Sequence, residues 1–205
     1  MEPAPPWPLD RIPARMSPIS LKSFALFVAI AATLGLSACG NKTSTIHTGA
    51  TEGVYLNVGQ LKYQVEISRQ LNPQAIPEDR TFLQDVAPGQ AALAPDELWF
   101  AVFVRVENPT HHPVAPTDHY TITDTEGNTF QPVKIGAGNP FFYNTAPIGP
   151  NSVAPNPDSV AAQLGSIGGM ELLFKLKRAT LSNRPLIMTI RSFFPDDKAT
   201  DSLDV

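Results

Sequence analysis

Apolar positions recur with a period of two along most of this chain. Leu61, Tyr63, Val65 and Ile67 alternate with Lys62, Gln64, Glu66 and Ser68, which describes a strand with one buried and one wet face. Residues 98–106, Leu-Trp-Phe-Ala-Val-Phe-Val-Arg-Val, are apolar on both faces until Arg105, as a central strand of a sandwich would be. Asn108 and Pro109 end that run, and Pro113 follows, because proline cannot donate to a ladder. Residues 120–124 and 129–133 flank Asp124-Thr-Glu-Gly127-Asn128, a hairpin turn whose Gly and Asn tolerate positive φ. Residues 170–177 and 185–191 form another alternating pair, and the only helical signal is a short turn over 78–84. No internal repeat is present. The pattern predicts an all-β fold, an antiparallel β-sandwich with two long loops, 72–96 and 136–158.

The N-terminal 38 residues read differently. Arg11, Arg15 and Lys22 precede an apolar run of 13 residues, 24–36. A basic lead, a short apolar stretch and a small-residue exit describe a secretory signal peptide, and the run is shorter than the roughly 20 residues of a membrane span. Met16 opens an equally complete signal, so translation from Met1 or from Met16 gives the same exported product. The exit, Leu36-Ser37-Ala38-Cys39-Gly40, resembles the lipobox of bacterial lipoproteins. That resemblance implies cleavage between Ala38 and Cys39 and a diacylglyceryl group, with further palmitate-type acylation, on Cys39. Two acyl chains or more anchor a protein stably where one does not. The implied location is the extracytoplasmic face of the cell membrane.

Composition narrows the function classes. The full chain carries 15 basic and 19 acidic groups, for a net charge of −4. Removing residues 1–38 takes away Arg11, Arg15, Lys22, Glu2 and Asp10 and leaves −5 on 167 residues. That balance argues against nucleic acid as a partner, since phosphate binding needs clustered cations. One Cys among 205 residues excludes an intrachain disulfide and a multi-cysteine zinc site. The expected division is a signal peptide over 1–38, a lipid-anchored flexible tether over 39–53, the sandwich over 54–194, and a disordered acidic tail over 195–205.

Residues 98–133 also resemble a widespread domain family of bacterial secreted proteins and lipoproteins. The family's pattern is an aliphatic-aromatic strand ending in Asn, a Pro-containing gap, an alternating strand, Asp-x-x-Gly and an aromatic. Phe100 to Asn108, Tyr120 to Asp124, Gly127 and Phe130 follow that order, and Gly168-Gly169-Met170 onward resembles its next strand. The resemblance implies an immunoglobulin-like, telokin-like sandwich and carries no catalytic residues with it.

Motifs for chemistry are sparse. Gly165-Ser166-Ile167-Gly168 lacks the spacing of a serine-hydrolase elbow, and Gly136-Ala-Gly138 lacks the Lys and helix start of a phosphate loop. His111, His112 and His119 with Asp118 are the candidate metal group. Adjacent residues in an extended chain point apart, however, and the pair lies between Pro109 and Pro113. No cofactor is implied. Glu78, Asp79 and Asp85 are candidate facing carboxylates. The long loops carry more information, because connections above about 12–15 residues tend to be functional or disordered. Phe141, Phe142 and Tyr143 stand adjacent in the second loop. Three adjacent aromatics cannot all enter one core, so they are the candidate ligand-binding residues, with capping of the sandwich end as the alternative. The functional expectation is a non-enzymatic, lipid-anchored binding module of the cell envelope, facing an envelope protein or polymer. A small-ligand or metal-handling lipoprotein, or an accessory subunit of an envelope complex, are the alternatives.

Overall fold

A computed structural model describes residues 45–164, 167–193 and 197–204. Among the described residues ten strands form two sheets: β1 (Thr48–Gly49), β2 (Tyr55–Val58), β3 (Leu61–Leu71), β4 (Glu97–Asn108), β5 (His119–Thr123), β6 (Thr129–Phe130), β7 (Ser152–Ala154), β8 (Met170–Lys177), β9 (Leu186–Arg191) and β10 (Lys198–Leu203). One sheet runs β1-β10-β9-β5-β6. The other runs β2-β3-β4, and the far edge of β4 is shared between β8 along Glu97–Val104 and β7 along Val106–Asn108. Every pairing is antiparallel except that of β1 with β10. Among the described residues there are two short α-helices, α1 (Asp79–Phe82) in the first long loop and α2 (Val160–Gln163) between β7 and β8. The chain is thus an all-β, two-layer antiparallel sandwich of immunoglobulin-like kind, and among the described residues no helix is long and apolar enough to cross a membrane.

The doubly apolar run becomes β4, and it generates two cores. Leu98, Phe100, Val102, Val104 and Val106 face the opposite sheet and pack with Tyr63, Tyr120, Leu172, Phe174, Met188 and Ile190. Trp99, Ala101 and Phe103 face outward into a second cluster with Leu71, Phe82, Phe141 and Leu173. The long loops supply the cover for that outer face, so they are structure and not solvent-exposed links. Phe82, Phe103 and Phe141 meet with ring centroids 4.8–6.2 Å apart in edge-to-face and tilted arrangements. Helix α1 is pinned by buried Asp79, which pairs with Arg69 and accepts the Asn72 N–H at 2.6 Å. The Arg69 guanidinium also lies 5.8 Å from the Phe82 ring centroid.

Several sequence expectations change at this level. Ile67 does not continue the inner face of Leu61, Tyr63 and Val65. The β3–β4 register shifts between Val65, opposite Val104, and Ile67, opposite Phe103. The extra residue is a bulge that turns Ile67 into the outer core. Strands β8 and β9 are not a pair: β8 pairs with β4, whereas β9 sits between β10 and β5 in the other sheet. A 3₁₀ turn over Arg178–Ser182 carries the chain between sheets.

The domain limits also move outward. Lys198–Leu203 is not a disordered tail, because it pairs along six residues with β9. Residues 48–49, placed in the tether by sequence, form β1 on its other edge. The close approach of β1 to β10 requires Gly49, where a methyl group would overlap the Asp201 carboxylate. Asp201 is 0% exposed and neither carboxylate oxygen has a hydrogen-bond partner. Burial, with help from the charges of Glu52 and Asp204, raises its pKa from 3.8 to about 7.

A carboxyl raised in the folded state binds its proton more tightly there than in the unfolded chain. Its stabilising contribution is complete below the ordinary pKa and is lost as pH rises through that of the folded state. Thermal unfolding followed from pH 4.5 to 7.5 should therefore show stability falling by about 1 kcal/mol per pH unit. Asp201→Asn should flatten that slope; an unchanged slope would assign it to other groups.

Candidate functional site

The principal groove lies where the two sheets are bridged by residues 131–135. Strand β6 is only two residues long because Gln131 and Pro132 leave the first sheet. Pro132 bridges Phe174 of β8, and the Val133 N–H donates to the Leu173 carbonyl at 2.7 Å. Ile135 then bridges Val86 of the first long loop. This crossing opens a cavity of about 620 Å³ between it, β5 and the edge of β8. Such a volume falls within the range of about 300–1,000 Å³ common to ligand sites. Pro132, Val133, Ile135, Phe142 and Leu172 give apolar walls; Thr121, Gln131, Lys134 and Arg191 add polar groups.

The three adjacent aromatics divide as alternation requires. Phe141 is buried in the outer core and Tyr143 in the inner core. Phe142, between them, is half-buried and lines the groove. It also lines a second cavity of about 410 Å³ on its other side, with Pro140, Pro147 and Pro155. Phe142 is therefore a ridge between two hollows, while its neighbours are anchors. This assigns capping to Phe141 and Tyr143 and leaves Phe142 as the ligand-facing member of the three.

The anchors hold the loop through polar contacts as well. The Asn139 side-chain N–H₂ reaches the carbonyls of Phe82 and Gln84 at 3.1 Å, and its oxygen accepts from the Phe141 N–H at 2.8 Å. One amide thus ties both long loops together. On the inner side the Tyr143 hydroxyl donates to the Thr117 carbonyl at 2.9 Å and contacts the Tyr120 hydroxyl. The Thr117 N–H in turn donates to the Tyr63 hydroxyl at 2.9 Å. Burial raises the Tyr120 and Tyr143 phenols well above their usual range, so both remain neutral.

Sequence reasoning passed over Glu171. It sits on β8 at 1% exposure, lines the groove, and lies 3.3 Å from the Asn139 amide through Oε2. Its Oε1 has no partner. Burial lifts its pKa well above the usual carboxylate range, only partly offset by Asn139. A protonated carboxyl there is a hydrogen-bond donor at a largely apolar wall. The signal was present in the sequence as one charge inside the apolar run 170–174.

The remaining candidates are dispersed. His111 Nδ1 is 3.4 Å from Asn151, His112 Nε2 is 3.0 Å from Gln60, and His119 is 3.4 Å from Asp118. Among the described residues no group of three or more His, Cys, Asp or Glu is gathered for a metal ion. Glu78, Asp79 and Asp85 do not face one another: Asp79 holds Arg69, and Asp85 accepts the Gly138 N–H at 2.9 Å. Asp124 organises its turn by accepting the N–H groups of Glu126 and Asn128 at 3.0 and 2.9 Å. Its pKa is lowered chiefly by the side-chain hydrogen bond from Asn128. Asn108 is buried, and its amide reaches the Ile148 carbonyl at 2.8 Å, which explains an Asn at the strand end. Ala38 and Cys39 lie outside the described residues.

The division of the aromatics makes a direct prediction. Phe141→Ala should destabilise the fold by about 3–5 kcal/mol, the cost of a large cavity in a packed core. Phe142→Ala should cost about 1 kcal/mol or less, since its ring stands between two hollows and belongs to neither core. Denaturant unfolding of both variants checks this; equal losses would contradict the assignment.

No family model matches the chain, and no curated protein matches it. Among solved structures, the yjhA protein from Bacillus subtilis is similar over 76% of this chain and 99% of its own, at 10% identity and a TM-score of 0.48. An uncharacterised beta-sandwich protein from Clostridium difficile 630 is similar over 80% of this chain and 99% of its own, at 9% identity and a TM-score of 0.42. A conserved hypothetical protein from Bacillus anthracis is similar over 74% and 94%, at 9% identity and a TM-score of 0.42.

Proposed function

We propose that this chain is a non-enzymatic, lipid-anchored binding module on the extracytoplasmic face of a bacterial cell membrane. The observation that carries the binding role is the groove of about 620 Å³ beside Phe142, built on two rigid sheet edges. Its titratable members support binding over catalysis. Glu171 is turned against Asn139, and His119 lies beside Asp118, so the geometry pairs neither with a nucleophile. The anchor rests on the sequence, in which Cys39 follows Leu36-Ser37-Ala38 directly after the apolar run. From Cys39 to Thr48, the first residue of β1, the chain spans at most about 30 Å when extended. An acylated Cys39 would thus hold the domain close to the bilayer, where an envelope protein or polymer is within reach of the groove.

The test combines both parts in living cells. Cys39→Ser should abolish acyl labelling and move the protein from the membrane to the soluble fraction. A photoactivatable residue replacing Phe142 should crosslink to an envelope component, and the same residue replacing exposed Glu78 should not. Retained acylation in the Cys39→Ser variant would refute the anchor. Equal crosslinking from positions 142 and 78 would refute the groove as the binding surface.

A further inference from the structure

The chain enters the sandwich at one of its two ends. Strand β1 runs parallel to β10 with Thr48 opposite Thr200, and the Thr200 N–H donates to the His47 carbonyl at 2.9 Å. The Asn57 N–H donates to the Ile46 carbonyl at 2.7 Å. Residues 47 to 45 therefore run back toward the start of β10 at Lys198 and toward the turn between β2 and β3. The Asp197 carboxylate accepts the Gly59 N–H, which places the β9–β10 turn at that same end. Strand β4 finishes there, with Glu107 opposite Lys62, and His112 of the following loop lies 3.0 Å from Gln60 through Nε2. Strand β5 starts there, with His119 opposite Arg191.

Every histidine of the chain is gathered at this end. His47, His111, His112 and His119 are the 4 that the sequence contains, and all are exposed. Among the described residues the other charges placed here are Lys62, Arg191 and Lys198 against Glu107, Asp118 and Asp197. Lys62 pairs with Glu107 at 3.6 Å, and Asp118 lies 3.4 Å from His119. With neutral imidazoles these cations and anions balance. As pH falls below neutral, imidazoles take up protons and this end of an acidic chain turns cationic. Burial raises the Tyr63 phenol behind it to about 12 and the Tyr120 phenol well above its usual range, so neither changes charge alongside them. Asp201 does titrate in that range, but its side chain is buried on β10 against Gly49.

Apolar surface accompanies the histidines. Phe193 is 60% exposed and meets the His119 ring with centroids 5.4 Å apart, and Ile46 is 38% exposed where the chain enters. From Cys39 to residue 45 the chain reaches at most about 20 Å when extended. An anchor at Cys39 therefore keeps this end at the bilayer. The Asp124–Asn128 turn stands at the other end of β5, about 16 Å of strand farther away.

We infer that this end of the sandwich is a docking surface for the anionic lipid headgroups of the bilayer to which the chain is tethered, with the four histidines and Phe193 as its contacts. The inference goes beyond the groove, and its choice of end rests on the anchor at Cys39. Charge complementarity selects anionic lipid, because each cation held near such a surface strengthens association by about fivefold. Attachment therefore tightens as pH falls. The Phe193 ring adds an aromatic contact of the kind that settles at headgroup level. Asp118, His119 and Arg191 also border the groove, so docking sets the groove's rim beside the bilayer.

The experiment uses the protein as cells produce it, with a fluorescent amino acid replacing Phe193 or, in a second preparation, Glu126 in the turn at the opposite end. It is mixed with vesicles of phosphatidylcholine, alone or with about 30% phosphatidylglycerol, that carry a nitroxide quencher at the headgroup. Flotation with the neutral vesicles reports the anchor, and quenching reports docking. On anionic vesicles at pH 5.5 the probe at 193 should be quenched and the probe at 126 should not. Raising the pH to 7.5 should lower the ratio of docked to undocked protein by at least about fivefold, the effect of one cation. Salt at about 0.5 M should release it as well. Replacing His111, His112 and His119 together by Gln should remove most of the pH response with an unchanged melting temperature, whereas Asp201→Asn should keep that response. Equal quenching at 193 and 126, or quenching at 193 that ignores both lipid charge and pH, would overturn the inference, and flotation with neutral vesicles would then leave the anchor standing. Flotation with anionic vesicles alone, with quenching confined to 193, would remove the anchor and uphold the docking surface.

Discussion

The burial of β4 on both faces is the constraint from which the rest of the structure follows. A strand in a two-layer sandwich ordinarily shows one face to water. Here Trp99, Ala101 and Phe103 are as buried as Phe100, Val102 and Val104. The second face needs a cover, and the chain supplies it from two long loops instead of a third sheet. Phe82 and Phe141 enter that cover from opposite directions in sequence, and Asn139 fastens the two loops to each other. The length of these loops is therefore a structural requirement first and a functional opportunity second.

The groove is a by-product of that cover. Residues 131–135 leave β5 early because Pro132 and Val133 are needed at the edge of β8 and Ile135 at Val86. The space between the sheets is left open at one place. The same loop then sets Phe142 at the wall by burying its two neighbours on either side. Stability and site share their supports, so Asn139 serves both and Glu171 is held in a buried position at their junction.

Much of the sandwich could be read in the sequence, because period-two patterning survives wherever one face is buried. The runs at 98–106 and 120–124 and the Asp124–Asn128 turn became β4, β5 and its hairpin. Ile67 misled because a bulge changes parity by one residue and leaves no compositional trace. β10 was hidden because its inward positions are Ala199, Asp201 and Leu203, and a buried Asp reads as a soluble tail. β8 and β9 read as a hairpin because both alternate and lie close together, and only tertiary context sends them to different sheets. The aromatic triplet pointed to the right loop, yet its members could be sorted only after each was assigned a face. The groove itself was illegible, since it arises from where a crossing strand departs and not from any motif.

Amide hydrogen exchange under native conditions tests most directly whether the two long loops are integral to the fold. The N–H groups of Asn72, Gly136 and Phe141 donate to Asp79, Asp85 and Asn139 at 2.6, 2.8 and 2.8 Å. The account predicts that they exchange with the global unfolding of β4, within about tenfold of its protection factors. Exchange of these three amides at the rates of open loops, while β4 remains protected, would contradict it.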